Sequence, residues 1–433
     1  MEKKKTIIYS MILAAIVLGA ILSLTYFGRN NGNFKPLPAN DNEMVFSSNN
    51  ASQYNDNFRV LSEADPPMIS DPSLKVEMVI EGLDLPTSMT FLGLDDILIL
   101  QKDNGNVRLV SQGVLQPNPI LEVFVVNNSE RGLLGVALAN DTSDMKLVFL
   151  YYTEQVGNEI RNRVYRYELD DNNNLGGGSL VVDLPGQPGP NHDGGKMTIG
   201  PDGMLYAVIG DLNRKGMLQN YVTGPADDTS VILRVDQDGS VANGVLGSDL
   251  DKYYAYGIRN SFGMDFDPVT AKLWITENGP ESYDEINVVE PGFNSGWAQV
   301  MGPIDRSEGT FDNLKQLEGS HYADPVFSWR QPQGITDIEF LTSTKLGDKY
   351  ARNIFVGDFN NGNLYFFILN SNRMGLELDN DGLEDLVADN NGEVETVTFG
   401  TGFSGITDIE TGPDGYLYIL TFGGKIYRIV PAS

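Results

Sequence analysis

From Val76 onward, apolar runs of about four to eight residues alternate with turns rich in Gly, Asp, Asn and Pro. This alternation predicts β-strands joined by hairpins. Several hairpins resemble one another: FLGLDDILILQKDNGNVRLV (91–110), IGPDGMLYAVIGD (199–211), FDPVTAKLWITENGP (266–280) and TGPDGYLYILTFGGKIYRIV (411–430). Such a repeat at irregular spacing is typical of a β-propeller, whose blades are four-stranded sheets. Blades of about 60 residues would give six, so the sequence predicts an all-β, six-bladed β-propeller.

The N-terminal segment has a different pattern. Three lysines at positions 3–5 precede an uncharged apolar run, Thr6–Phe27, which as a helix is long enough to cross about 30 Å of hydrocarbon. Because basic flanks stay in the cytoplasm, residues 1–29 are predicted to anchor the chain in the lipid bilayer of the cell membrane, single-pass, with the C-terminal body outside the cytoplasm. The alternative is a signal peptide, which is cleaved to give a secreted protein and usually has an apolar core of only ~7–15 residues.

Residues 30–74 are dominated by Asn, Asp, Ser and Pro and show neither a helix period nor a strand period. This composition predicts a flexible linker. Residues 75–433 are therefore predicted to form the propeller domain, which is long enough to bury a large core.

Composition excludes several classes of function. Lys and Arg total 30 and Asp and Glu total 59, so the formal net charge is −29. Such a surface repels phosphate backbones, and we expect no nucleic-acid partner. The chain has no cysteine, which excludes disulfides, thiolate metal sites and a cysteine nucleophile. With only two histidines, His192 and His321, a multi-histidine zinc site is also excluded.

Two stretches contain candidate catalytic and binding groups. In PGPNHDGGKMTIGPDG (188–203), His192 lies in a Gly/Pro loop before a predicted strand, where it could act as a general base in an axial pocket. A lone loop histidine is also compatible with an ordinary surface role. Arg259 and Asn260 form an adjacent pair before another predicted strand. A guanidinium suits a carboxylate, and an amide supplies both a donor and an acceptor. We assign His321 no role.

A third stretch, TENGPESYDEINVVEPGFNSGW (276–297), combines the Gly279–Pro280 turn with the acidic residues Glu281, Asp284 and Glu285. Carboxylates and backbone carbonyls are the hard oxygen ligands that Ca²⁺ prefers. The spacing is not that of an EF-hand. The alternative is an acidic, solvated turn in an acidic protein.

Together these stretches resemble the glucose/sorbosone dehydrogenase family, the soluble PQQ-dependent sugar and aldose dehydrogenases. Further similar segments follow in family order: SERGLLGVAL (129–138), PVFSW (325–329) and TDIETGPDGYLYILTFGGKIYRI (407–429). The likeness covers most of residues 80–430. It implies a six-bladed propeller whose axial pocket holds PQQ and Ca²⁺ and accepts a small-molecule sugar.

The resemblance also implies roles for individual residues. His192 matches the general base that takes the hydroxyl proton as hydride leaves the sugar C1 for the quinone. The other matched positions are the cofactor contacts Arg259 and Asn260, the carbonyl donors Gly279 and Pro280 to a catalytic calcium, Asp284 and Glu285 near a structural calcium, and Glu130, where the family places Gln or Glu near the pocket.

The sequence departs from the family where three cations face the cofactor. A family lysine falls at Asn360, and two arginines of an R-x-R-D pattern fall at Gly405 and Thr407. Because PQQ carries three carboxylates, losing hydrogen bonds of ~1.5–3 kcal/mol each would weaken its binding. The sequence therefore predicts a membrane-anchored, extracytoplasmic PQQ- and calcium-dependent sugar dehydrogenase. The alternatives are a non-catalytic cell-surface binding module that has lost PQQ, or a calcium-dependent hydrolase or lactonase on the same scaffold.

Overall fold

The computed structural model describes residues 66–140, 146–241, 244–247, 249–378 and 382–432. The predicted membrane anchor, 1–29, lies outside the described residues, as does most of the predicted linker. The last part of the linker range is described and contains the strand β1 (Met68–Ile69) and the first residue of β2 (Leu74–Ile80). Within the described part of the chain, no helix is both long and apolar enough to cross a membrane.

The described fold is all-β and propeller-like, as the hairpin pattern predicts. The strands of the first half are β3 (Pro86–Phe91), β4 (Asp96–Gln101), β5 (Asn106–Ser111), β6 (Val114–Leu115), β7 (Leu121–Glu122), β8 (Leu133–Asn140), β9 (Lys146–Val156), β10 (Glu159–Leu169), β11 (Leu175–Pro185), β12 (Met197–Ile199), β13 (Leu205–Ile209), β14 (Val231–Val235) and β15 (Tyr253–Tyr256).

The strands of the second half are β16 (Gly263–Phe266), β17 (Leu273–Glu277), β18 (Asp284–Val289), β19 (Phe293–Asn294), β20 (His321–Tyr322), β21 (Phe327–Trp329), β22 (Ile335–Phe340), β23 (Ile354–Asp358), β24 (Leu364–Leu369), β25 (Leu376–Glu377), β26 (Val387–Ala388), β27 (Thr398–Thr401), β28 (Ile406–Thr411), β29 (Leu417–Thr421) and β30 (Lys425–Pro431). An α-helix, α1 (Asn391–Val397), and 3₁₀ turns at Met217–Gln219, Ile304–Arg306 and Phe311–Asn313 lie in the connections.

The described strands form six sheets. Sheet one contains β3 to β7, and sheet two has the order β11-β10-β9-β8. Sheet three has the order β12-β13-β14-β15-β19-β20, and sheet four the order β16-β17-β18-β21-β26. Sheet five runs β1-β27-β24-β23-β22 with β25 beside β24, and sheet six runs β2-β30-β29-β28. In sheet six the early strand β2 pairs with the late strand β30, so the two ends of the described chain close one sheet.

The xPDGxLY hairpins show how local sequence forms these sheets. In the turn before β13, Gly203 donates to the carbonyl of Gly200, and the Asp202 carboxylate accepts the backbone N–H of Met204. Gly203 has φ +79°, a conformation that glycine adopts without a Cβ penalty. The two strands then pair in antiparallel register from Met197↔Ala207 to Ile199↔Leu205. The Asp and Gly residues of these repeats therefore make turns, as the pattern indicates.

The first strands of the sheets contact one another in a closed ring, in the order β3, β8, β12, β16, β22, β28 and back to β3. Side chains join neighbouring strands of this ring. The Asp265 carboxylate accepts the backbone N–H of Phe340 at 2.8 Å. The Asp408 carboxylate accepts that of Met89 at 2.6 Å. The ring therefore surrounds an axis lined partly by charged groups, while the apolar clusters lie between adjacent sheets. Trp274 and Trp329 of sheet four, for example, pack against Phe340 and Tyr365 of sheet five.

Candidate active site

The residues singled out in the sequence meet at one end of the ring. Glu130, His192 and the Arg259–Asn260 pair lie just before the first strands β8, β12 and β16. Residues that follow the second strands β13 and β17 lie at the same edge, because antiparallel neighbours place the start of one beside the end of the other. Asp211 after β13 and Gly279 after β17 therefore join the same site.

His192 is held on two sides. Its Nδ1 lies 2.6 Å from Oδ1 of Asp211, and its backbone N–H donates to Oε2 of Glu130 at 2.6 Å. The His192 side chain is nearly fully buried, and the backbone φ of this residue, +66°, is in the left-handed region. Because an ionised carboxylate only accepts hydrogen bonds, Nδ1 carries a proton, and in the neutral imidazole the lone pair then lies on Nε2.

Asp211 is itself held in place by three donors. Its Oδ2 accepts Nε1 of Trp297 at 2.7 Å, and its Oδ1 accepts the backbone N–H of Asn213 at 2.7 Å besides His192. Burial alone would raise the pKa of Asp211, but these hydrogen bonds and the charge of His192 hold it below its usual value. Asp211 therefore stays ionised and orients the imidazole.

Glu130 is fully buried and lies against the backbone of His192. Besides the hydrogen bond from the His192 N–H, its carboxylate accepts hydrogen bonds from Nδ2 of Asn260, at 3.4 Å through Oε1 and 3.3 Å through Oε2. Burial raises the pKa of Glu130 to about 7, although the charges of His192 and Arg259 oppose this. The neighbouring Asp193 carboxylate, also fully buried, has its pKa raised to about 6 by the same cause. Both oxygens of Glu130 thus engage protein groups.

Arg259 is fixed by groups on β17 and its following turn. Its backbone N–H donates to the side-chain Oε1 of Glu277 at 2.6 Å, and its Nη1 donates to the backbone carbonyls of Asn278 and Gly279 at 3.0 and 3.2 Å. The guanidinium carbon lies 5.2 Å from the centroid of the Trp297 ring, within cation–π range. Arg259 and Trp297 therefore form one wall of the site.

The predicted calcium residues engage protein groups. Asp284 accepts the backbone N–H of Gly279 at 3.0 Å through Oδ1, and those of Gln333 and Gly334 at 2.6 and 2.7 Å through Oδ2. Glu285 accepts from Asn287 and from the backbone of Gly302. Burial raises the pKa of Asp284 to about 6. These carboxylates tie β18 to the loops on either side of it.

Gly279 and Pro280 form the turn predicted to offer carbonyl ligands. A Cβ on Gly279 would lie 2.1 Å from the carbonyl oxygen of Ser282, so only glycine fits this turn. Among the described residues, no group of three or more acidic or histidine side chains is arranged to hold a metal. The groups at this turn that could bind calcium are backbone carbonyl oxygens. The carbonyl of Gly279 also accepts a hydrogen bond from Nη1 of Arg259.

The resemblance places family cations at three positions, which in this chain are Asn360, Gly405 and Thr407. Nδ2 of Asn360 is buried and has no hydrogen-bond partner among the described residues. Gly405 adopts φ +75° against the carbonyl of Phe359. Thr407 lines an axial cavity of about 30 Å³ together with Lys196 and Asp408.

Lys196 does not replace those cations. Its Nζ lies 2.8 Å from the carboxylate of Asp337 and 2.6 Å from that of Asp408, both buried. The charge of Lys196 is therefore paired with Asp337 and Asp408. The guanidinium near His192 is that of Arg259. Two buried acceptors accompany it, since Oδ1 of Asn260 and Oδ1 of Asn278 have no hydrogen-bond partner within the described ranges. The arrangement can deprotonate a hydroxyl and accept hydrogen bonds from others.

Sequence reasoning missed four residues of the site: Asp211, Glu277, Asn278 and Trp297. The available signal was positional. Asp211 ends the YAVIGD strand of a quoted hairpin, and Glu277–Asn278 directly precede the predicted turn at Gly279. Their role depends on the antiparallel pairing in each sheet, which places the end of the second strand beside the start of the first.

Comparison with known proteins identifies the family. The family model described as Glucose / Sorbosone dehydrogenase matches residues 83–428. The aldose sugar dehydrogenase YliI of Escherichia coli is 25% identical over 372 residues, covering 83% of this chain and 94% of the relative. The quinoprotein glucose dehydrogenase B of Acinetobacter calcoaceticus is 26% identical over 275 residues, covering 58% and 55%. A Thermus thermophilus crystal structure described as a glucose dehydrogenase superposes with a TM-score of 0.65 at 26% identity, covering 82% of this chain and 100% of that one.

Proposed function

The chain belongs to the glucose/sorbosone dehydrogenase family, and from that premise we propose that it is a PQQ-dependent sugar dehydrogenase with His192 as its general base. Family membership supports the oxidation of a sugar. The observation that carries the residue assignment is the buried His192–Asp211 pair, 2.6 Å apart, beside Arg259 and Asn260. The ring of first strands and the closure of β2 on β30 support the reading of the six sheets as six blades.

The reaction assigns a distinct task to each residue. Asp211 fixes Nδ1–H, so that Nε2 of His192 takes the proton of the sugar C1 hydroxyl. The amide oxygen of Asn278 accepts a hydrogen bond from another hydroxyl of the sugar, which orients C1, while Asn260, like Arg259, contacts the cofactor. PQQ, when bound, supplies the quinone that accepts the hydride from C1.

The cofactor would be held by fewer cations than the family pattern supplies. Arg259 offers a guanidinium and Asn360 a buried amide donor, while Glu130, Asp193 and Glu277 place carboxylates nearby. Ca²⁺ at the Gly279–Pro280 carbonyls would offset these negative charges, and we include it in the proposal. Binding of PQQ should therefore depend strongly on calcium.

The experiment that tests cofactor use is calorimetric titration of the purified full chain with PQQ, with and without Ca²⁺. We expect saturable binding in the micromolar range only when Ca²⁺ is present. The matched variant is Arg259→Gln, which removes the guanidinium and should weaken binding by roughly tenfold or more. Absence of binding at all calcium concentrations would contradict PQQ dependence.

The alternative, a non-catalytic binding module, is favoured by one observation. Thr407 and Gly405 leave no cation at two positions that face the cofactor in the family, and Lys196 is engaged by Asp337 and Asp408. Failure to bind PQQ would favour this reading. We further propose an extracytoplasmic location at the membrane, supported by the basic flank and the apolar run of residues 1–29.

A further inference from the structure

The indole of Trp297 bridges the carboxylate that orients the base and the guanidinium beside it. Nε1 of Trp297 donates to Oδ2 of Asp211 at 2.7 Å, and the ring centroid lies 5.2 Å from the guanidinium carbon of Arg259. The backbone N–H of Asp211 in turn donates to the carbonyl of Arg259 at 2.9 Å. Asp211 follows β13, Arg259 precedes β16 and Trp297 follows β19, so a closed triangle of contacts joins three loops of the site.

The contact with Asp211 fixes the plane of its carboxylate. Oδ1 of Asp211 faces Nδ1 of His192 and accepts the backbone N–H of Asn213. An indole N–H donates a hydrogen bond and cannot accept one, so it pairs only with an acceptor, here Oδ2. With a partner on each oxygen, rotation about the Cβ–Cγ bond would break hydrogen bonds of a nearly fully buried carboxylate. The orientation of the His192 ring therefore depends on Trp297 as well as on Asp211.

The contact with Arg259 is supported by the backbone of Trp297. The backbone N–H of Trp297 donates at 3.1 Å to the carbonyl of Gly257, two residues before Arg259. The carbonyl of Trp297 accepts Nδ2 of the buried Asn220 at 2.8 Å. The ring is therefore held against the guanidinium, and a guanidinium within about 6 Å of an indole centroid is attracted to the ring by its quadrupole.

We propose that Trp297 is a positioning residue that holds Asp211 with its N–H and Arg259 with its ring, so that one side chain sets the base in register with the guanidinium that contacts the cofactor. The roles of His192 and Arg259 in this statement rest on the proposed function. The two tasks use different parts of the indole, and substitutions separate them. Trp297→Phe keeps an aromatic ring and loses the N–H, whereas Trp297→Leu loses both.

The hold on Asp211 can be tested without cofactor or activity, because the chain has only two histidines. In protein labelled with ¹⁵N at histidine, the Nδ1 proton of His192 gives a ring signal that a His321→Asn variant assigns. We expect this proton to exchange with water about tenfold faster in Trp297→Phe, because the carboxylate that binds it can then rotate. The matched control is Trp274→Phe, since Nε1 of this buried indole has no hydrogen-bond partner among the described residues. An exchange rate in Trp297→Phe equal to that of the control overturns the hold on Asp211.

The hold on Arg259 is tested by calorimetric titration with PQQ in the presence of Ca²⁺. We expect Trp297→Phe to bind within about threefold of the wild type and Trp297→Leu to bind about tenfold more weakly. Equal binding by Trp297→Leu and the wild type overturns the hold on Arg259. With D-glucose as the probe, kcat of Trp297→Phe should fall about tenfold at a nearly constant KM, and a kcat equal to that of the wild type would contradict the link to the base. If the wild type binds no PQQ, the proposed function fails, while the Nδ1 signal still decides whether Trp297 holds Asp211.

Discussion

The axial ion pairs of Lys196 give a stability prediction whose size follows from burial. The Lys196 side chain is 11% exposed, and its partners Asp337 and Asp408 are 0% and 1% exposed. These partners lie on β22 and β28, so the lysine links two first strands of the ring to the loop before β12. Replacing Lys196 by methionine removes the cation and leaves the buried carboxylates of Asp337 and Asp408 without their ion-pair partner.

Removing one partner of a buried ion pair typically costs ~3–5 kcal/mol, because the remaining charge stays desolvated. We therefore expect Lys196→Met to lower the free energy of unfolding by about that amount. Burial already raises the pKa of Asp337, so the deficit should shrink as pH falls and the carboxyl protonates.

Urea denaturation, followed by the fluorescence of the buried Trp274 and Trp329, measures the effect. The matched control is Lys75→Met, which breaks the Lys75–Glu77 pair on the surface, where the side chains are 49% and 34% exposed. An exposed pair contributes about 0–1 kcal/mol. If Lys196→Met loses no more stability than Lys75→Met, and loses it equally at pH 5 and pH 8, the reasoning about the axis is refuted.

Three further predictions concern the site. Asp211→Asn should lower kcat by roughly 10²- to 10⁴-fold with little change in melting, because the tautomer of His192 is no longer fixed; retained activity would contradict this. Burial raises the pKa values of Glu130 and Glu277 from 4.5 to about 7. The folded chain thus binds these protons more tightly than the unfolded chain does, so the melting temperature should fall as the pH rises from 5 to 8. A melting temperature that rises over this range would show that these two carboxyl groups do not control the pH dependence of stability. Gly279→Ala should lower stability, since its Cβ would meet backbone oxygen; a melting temperature equal to the wild type would show that the turn can relax.

The sequence alone predicted the strands and the turns, because period-two alternation and Asp-Gly or Pro-Gly signals act locally. It also identified Glu130, His192, Arg259 and Asn260, which the structure brings together. The roles of Glu130 could not be read from sequence, since they depend on contacts between loops of three different sheets. The same holds for the link between Asp211 and Trp297.

The residues predicted to lie near a calcium ion show a limit of reasoning from sequence. The side chains of Asp284 and Glu285 accept hydrogen bonds from the backbone of Gly334 and Gly302, respectively. No local sequence pattern reveals these contacts, because the donors lie in loops farther along the chain, and the calcium site itself stays a prediction. Lys196 was missed for the same reason, because its partners lie on two strands far along the chain.

The most direct test of the central claim is sugar oxidation by the full chain supplied with PQQ and Ca²⁺, comparing wild type with His192→Asn. Asparagine tolerates the left-handed backbone of position 192 and cannot act as a base at neutral pH, so it removes the chemistry with little strain. His321→Asn is the control. The account predicts aldose oxidation by wild type and His321→Asn, and its loss in His192→Asn with an unchanged melt. Equal oxidation by all three proteins would contradict His192 as the general base.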